Sequence, residues 1–318
     1  DKRSRSFERI SDFELDMVGY LIGNLSINSR MTYFSPTDLI INPDGSSYHL
    51  NLRPDQIPET LILVGDPERV PKVSQFFDEV TEIVHKREFV THLGTLKGKR
   101  IAVLSSGIGA DNVEIVMNEL DALVNIDFQT RLEKDVKTSL NLIRIGTSGS
   151  IQAHIPVDSI LISNAAIGFD NLAQFYGFNS AQSISAASLE KWTQAIDYPL
   201  PLYAAKASTH LLEKFKPLNA FEGITLTAPG FYAPQGRTIR LHSIRPDFLQ
   251  KVAGATLEGH EITNIEMETA AYYAFAGAMG HEMISLNALL ANRITNEFSK
   301  DPEGQIMSLI EKAIGLIA

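Results

Sequence analysis

An arginine inside an apolar run is the first residue of this chain that demands a chemical explanation. Arg144 stands in Leu142-Ile143-Arg144-Ile145 and is followed by Gly146-Thr147-Ser148-Gly149-Ser150. Burying an unpaired guanidinium is costly, so Arg144 needs a carboxylate or an anionic ligand. The Gly-Thr-Ser-Gly turn offers backbone N–H groups and hydroxyls where the strand ends, and that donor set suits phosphate. A purely structural Arg–carboxylate pair is the alternative, which the adjoining turn outweighs. A second set of donors is Gly65-Asp66-Pro67-Glu68-Arg69. Gly65 lets backbone approach a ligand closely, Pro67 suits the first turn of a helix, and the helix N-terminus attracts an anion. Arg69 adds a charge there. Taken singly, this motif reads as a strand–turn–helix with a surface arginine.

Three further stretches carry polar groups in useful combinations. Asn264-Ile265-Glu266-Met267-Glu268-Thr269 places two carboxylates around a methionine. Carboxylates accept hydrogen bonds from sugar hydroxyls, and methionine is an adaptable apolar surface. The same acids would also suit a helix N-terminus. Phe231-Tyr232-Ala233-Pro234-Gln235-Gly236-Arg237 joins an aromatic ring, an amide and a guanidinium, which together can cover a flat ring and read its edge. Its plain reading is a decorated surface turn. Ser105-Ser106-Gly107-Ile108-Gly109-Ala110 lacks the third glycine of a dinucleotide fingerprint and reads as a tight strand-to-helix turn lining the site.

The elements that must position these groups alternate along the chain. Short β-branched apolar runs predict strands at Thr60–Val64, Arg100–Leu104, Asn141–Ile145 and Ser159–Ile162. Helical spacing covers Pro67–Phe77, Ala110–Val124, Ser208–Phe215, Glu266–Met279 and Asp301–Ile317. That order implies an α/β fold, a single-domain α/β/α sandwich around a central mixed sheet, with ligands at the carboxyl ends of the strands. Residues 170–205 are the least periodic and read as loop plus a short helix at Ala187–Ile196, at the rim of the site. Residues 1–47 read as an N-terminal extension and lead-in, with a helix at Asp12–Asn24 or a start near Met31, and residues 48–318 as the domain.

Composition limits the function classes. The 318 residues are 44% hydrophobic, enough for a sizeable core. The formal net charge of -10, with no basic stripe, argues against nucleic acid. The absence of Cys excludes disulfides, thiolate metal sites and Cys nucleophiles. No apolar run reaches the length of a membrane span, and acidic residues in the first 16 positions spoil a signal peptide. A cytoplasmic enzyme is the expectation.

In this order, the motifs resemble the nucleoside phosphorylase family that includes uridine phosphorylase, from about Tyr48 to about Asn296. The resemblance implies reversible phosphorolysis with phosphate as co-substrate and no required cofactor. It also implies a homo-oligomer, a hexamer or a trimer, with active sites shared between neighbours. Gly65, Arg69, Arg144 and Thr147 would hold phosphate, with Arg87 reaching the adjoining subunit's site. His49 would cross the same interface to the ribose 5′-hydroxyl, and Met267 and Glu268 would hold the ribose. Phe231, Gln235 and Arg237 would bind the base, with Leu290, Ala291 and Arg293 beside it. Arg144, Arg237, Gln235 and Glu268 are the catalytic candidates. The Gln235/Arg237 pair points to uracil, and no Asp or Glu occurs in Leu286–Arg293 to protonate a purine. Glu88 and Ile108 match a monovalent-cation (potassium) site of some members, where Asn112 replaces a serine. Ala233-Pro234 and Ile265 also depart from the family pattern. A purine nucleoside phosphorylase, a hydrolytic nucleosidase and a non-catalytic nucleoside-binding protein are the rival readings.

Overall fold

Strand β1 (Thr60–Val64) is apolar at four successive positions because both its faces are covered. Leu61 and Leu63 enter one core, Ile62 and Val64 the other. The computed structural model describes residues 32–178 and 184–317, so the helix expected at Asp12–Asn24 lies outside the described residues. After β1 come α1 (Arg69–Ser74), β2 (Glu79–Lys86), β3 (Phe89–Leu96), β4 (Lys99–Ser105) and α2 (Ala110–Asn125). A small hairpin follows, β5 (Ile126–Asp127) and β6 (Leu132–Glu133), then β7 (Asn141–Ser150), β8 (Ile160–Gly168), α3 (Ala186–Ala195) and β9 (Tyr203–Lys206). The chain continues through α4 (Thr209–Phe215), β10 (Phe221–Thr227), α5 (Phe248–Ala253), β11 (Thr256–Leu257) and β12 (His260–Glu266). It finishes with α6 (Thr269–Met279), β13 (Glu282–Asn292), β14 (Glu297–Phe298) and α7 (Pro302–Ile317).

The sheet is mixed, as expected. Its order is β11-β12-β10-β8-β13-β7-β1-β4-β3-β2, with β9 on β8 and β14 on β13. The centre is parallel (β13–β7, β7–β1, β1–β4), while the β2–β3–β4 edge is antiparallel. Helices α2 and α6 bury their apolar sides on one face, and α1, α4 and α7 on the other. A third core under α3 and α5 holds Trp192, Phe248 and Ile265. The far half of β7 bends across to pair with β12, Gly149 opposite Ile265. That closure brings the two ends of the site together.

Several element boundaries differ from the sequence reading, each for a local reason. Gly146–Gly149 continue strand β7 to Ser150 rather than forming a turn, because β13 pairs with them throughout. Strand β8 likewise runs on to Gly168. The first helix shrinks to Arg69–Ser74, and α6 begins at Thr269 instead of Glu266. Glu266 ends β12, and its carboxylate accepts the Glu268 and Thr269 amides, capping α6 from the strand. The helix expected at Ala187–Ile196 is α3, but no described residue of 170–205 lines the main cavity. There Tyr176 and Phe178 instead pack edge-on against Phe275 of α6.

Candidate active site

A cavity of about 700 Å³ opens where β1, β4, β7, β12 and β13 end. Period two decides what enters it. Leu142 faces the α2/α6 layer and Ile143 the opposite one, so Arg144 returns to the α6 side. There its Nη2 lies 2.6 Å from Glu268 Oε2 and 3.0 Å from Glu266 Oε2. Its Nη1 donates to Ser285 Oγ at 3.3 Å and Asn287 Oδ1 at 3.2 Å. The guanidinium lies directly over Gly146, where a Cβ would stand 2.0 Å from Arg144 Nη1. Gly146 is therefore a requirement of Arg144, two residues along the same face. Both readings of Arg144 hold: it is anchored by carboxylates, and it still lines the cavity.

The second guanidinium is less satisfied. Arg69 Nη1 donates to the Ile145 carbonyl at 3.2 Å, and no ion pair holds Arg69 among the described residues. Burial first, then the charge of Arg144, lowers its proton affinity. Two cations held near one another beside a glycine-lined opening create a place for an anion. Gly65 and Thr147 line the same end. The Gly65 Cβ position approaches the Gly107 carbonyl at 3.4 Å, so the β1 and β4 loops touch there.

Glu266 and Glu268 share one arginine and so differ in freedom. Glu266 also accepts from Thr227 Oγ1, Thr269 Oγ1 and two backbone amides, an anchoring role the sequence reading missed. Glu268 Oε1 accepts Gly109 N at 2.8 Å. Burial pushes the Glu268 carboxyl up, against the pull of Arg144, and Glu266 adds to the rise. For Arg144, burial opposes the charge, but Glu266 and Glu268 outweigh it and the net shift is upward. Glu268 is thus the carboxylate available to a sugar hydroxyl, with Met267 lining the cavity beside it.

Across the cavity, Arg237 stacks on Phe231, its Cζ 3.8 Å from the ring centroid. Its Nη1 donates to the Phe231 carbonyl at 2.7 Å and to Gln235 Oε1 at 2.5 Å. Gln235 is 2% exposed and ends a one-turn 3-10 helix closed by Gly236 at φ +68°. Burial, then Arg293, lowers the Arg237 pKa to about 10, so it remains charged at neutral pH. Arg293 Nη1 fixes the Gln235 carbonyl at 3.0 Å. A β-bulge between Leu289 and Ala291 displaces Leu290 from the ladder, and Leu290 and Ala291 both line the cavity. Ser148, whose hydroxyl the sequence offered with the Gly-Thr-Ser-Gly stretch, joins them, as does Phe298 of β14, which sequence reasoning passed over.

Arg293 stands behind Gln235 without lining the cavity itself, and two further expected residues lie away from the cavity of their own chain. Arg87 sits exposed at the tip of the β2–β3 hairpin with φ +57°, 5.9 Å from the Tyr48 ring centroid. His49 Nδ1 is 2.7 Å from Glu119 Oε1, and the His49 and Leu50 amides donate to the same carboxylate. Glu88 and Ile108 do reach the cavity. The Ile108 carbonyl, however, already accepts Asn112 Nδ2 at 3.1 Å. One of the two lone pairs of that carbonyl is thus already in use.

A family model described as the phosphorylase superfamily matches residues 59–315. The chain is similar to the uridine phosphorylase of Thermococcus kodakarensis, 31% identical over 277 residues, which are 86% of this chain and 88% of that one. It is similar to the DeoD-type purine nucleoside phosphorylase of Bacillus cereus, 28% identical over 81% of this chain and 92% of that one. Its structure is similar to a Trypanosoma brucei nucleoside phosphorylase that shows uridine phosphorylase activity. The TM-score is 0.78 at 26% identity, covering 88% of this chain and 98% of that one.

Proposed function

The chain belongs to the phosphorylase superfamily, and from that premise we propose that it catalyses reversible phosphorolysis of uridine. The supporting observation is the pair Arg69 and Arg144 at one end of the cavity, with Phe231, Gln235 and Arg237 at the other. A phosphate oxygen attacks the anomeric carbon as the bond from that carbon to the uracil nitrogen breaks. The electron pair leaves on uracil, which takes a proton from water after release. Ribose 1-phosphate is the second product. Charge is therefore positive on the sugar and negative on the base at the transition state, and catalysis is positioning plus electrostatics.

Gly65, Arg69, Arg144 and Thr147 hold phosphate beneath the sugar. Glu268 accepts the ribose hydroxyls, and Met267 covers the sugar face. Gln235 and Arg237 meet the uracil edge, with Leu290 and Ala291 beside the ring. Arg87 and His49 act at a neighbouring subunit's site in a hexamer, His49 held in position by Glu119. The setting is the cytoplasm; no helix among the described residues is long and apolar enough to cross a membrane. Among the described residues the carboxylates lining the cavity are Asp66, Glu88, Glu266 and Glu268, and none stands in Leu286–Arg293 beside the base. That favours uracil over a purine that must be protonated. Phosphate-dependent release of free base across uridine, cytidine and inosine tests the reading. Release without phosphate would indicate a hydrolase, and preference for inosine a purine enzyme.

A further inference from the structure

Strands β7, β13, β8, β10 and β12 close on themselves, because β12 pairs back onto β7. The interior of so small a barrel is usually filled with packed side chains. Here polar residues meet inside it, each 9% exposed or less: Arg144, Asn287, Ser163, Thr225, Asn264 and Ser148. We propose that they form a one-way chain of hydrogen bonds that starts at Arg144 and commits the Ser148 hydroxyl to donate into the cavity. Thr225 and Asn264 are then positioning residues for the bound nucleoside. This inference rests on the nucleoside-phosphorylase reading for its ligand, but not for its bonding.

The direction follows from one fixed end. A guanidinium only donates. Arg144 Nη1 donates to Asn287 Oδ1 at 3.2 Å, which turns the Asn287 amide nitrogen toward Ser163 Oγ, also at 3.2 Å. Ser163 Oγ lies 2.5 Å from Thr225 Oγ1, where either hydroxyl could donate; because Thr225 spends its proton on Asn264, Ser163 is the donor. Thr225 donates to Asn264 Oδ1 at 2.7 Å, and Asn264 Nδ2 donates to Ser148 Oγ at 2.8 Å. Ser148 is left with a proton and a cavity in front of it. Its neighbour Gly149 packs against Arg293, which bonds the Gln235 carbonyl, so Ser148 belongs to the base side of Thr147. The chemistry this selects is an acceptor oxygen on the nucleoside. Hydrogen bonds in such a chain polarise one another, so a break in the middle is felt at the end.

Thr225→Val keeps the shape and removes the hydroxyl, which frees the Asn264 amide to reverse. Thr225→Ser keeps the hydroxyl. The expected result for T225V is a loss of roughly three- to tenfold in kcat/KM for uridine, with phosphate KM unchanged. T225S should stay within about twofold of the parent. In a Ser148→Ala background, T225V should cost nothing further, because the chain no longer ends on a donor. An equal loss with and without Ser148, or no loss at all, overturns the proposal. Neutron diffraction from crystals of the unsubstituted protein tests the bonding directly. The Thr225 deuteron should point to Asn264, and the Ser163 deuteron to Thr225; the reverse order overturns the proposal. If the parent released no uracil with phosphate, the functional reading would fail while the deuterons still decided the chain's direction.

Discussion

Gly146→Ala is the smallest change that should disable the site. The added methyl would stand 2.0 Å from Arg144 Nη1, 2.5 Å from its Cζ and 2.8 Å from its Nη2. Ordinary contact is roughly 3.5 Å, so the guanidinium must retreat by about 1.5 Å. It cannot do so and keep its 2.6 Å bond to Glu268 and 3.0 Å contact with Glu266. Weakening two charge-assisted bonds at a buried pair should cost about 2–4 kcal/mol of stability. Misplacement near 1 Å can lower the rate about a hundredfold. We expect kcat/KM for phosphate to fall by about that factor, with a lower Tm and native secondary structure retained. Steady-state phosphorolysis at varied phosphate, beside thermal unfolding, measures both effects. A variant within twofold of the parent in kcat/KM for phosphate would refute the idea that Arg144 geometry governs the reaction.

Other perturbations separate the remaining roles. Arg69→Ala should leave Tm nearly unchanged, since only one carbonyl contact is lost, yet reduce kcat about 100-fold or more; a normal rate at saturating phosphate would remove Arg69 from the site. Gln235→Ala should lower uridine turnover and relax a uridine-over-cytidine preference that unpaired buried groups can raise to about 10⁴, as relative kcat/KM will show; an unchanged ratio would take Gln235 out of base reading. Glu119→Gln should impair uridine more than 5′-deoxyuridine, because it loosens His49; equal losses on the two substrates would refute that link. Mixed Arg87→Ala and Arg144→Ala subunits should recover activity on exchange, and proven exchange without recovery would argue against shared sites.

What the sequence determined by itself was the set of groups and the kind of layers around them. An arginine in an apolar strand announces itself, because charge in apolar surroundings needs a partner; the Gly-Asp-Pro-Glu-Arg turn and the Phe-to-Arg segment gain meaning only from their order along the chain with it. Their cavity contains Gly65, Arg69, Arg144, Thr147, Phe231, Gln235, Arg237, Met267, Glu268, Leu290 and Ala291 together. The alternating β and α patterns likewise gave the covered mixed sheet. Tertiary structure alone decided how the charges are compensated. Glu266 lies 122 residues from Arg144 in the chain yet anchors it and caps α6, a coincidence that only the β7–β12 closure creates. The polar barrel interior left a faint trace as alternation, Thr225 with Thr227 and Asn264 with Glu266, but period-two polarity ordinarily means a solvated face. Whether such a face meets water or another strand depends on contacts distant in sequence, and those are settled only when the sheet closes.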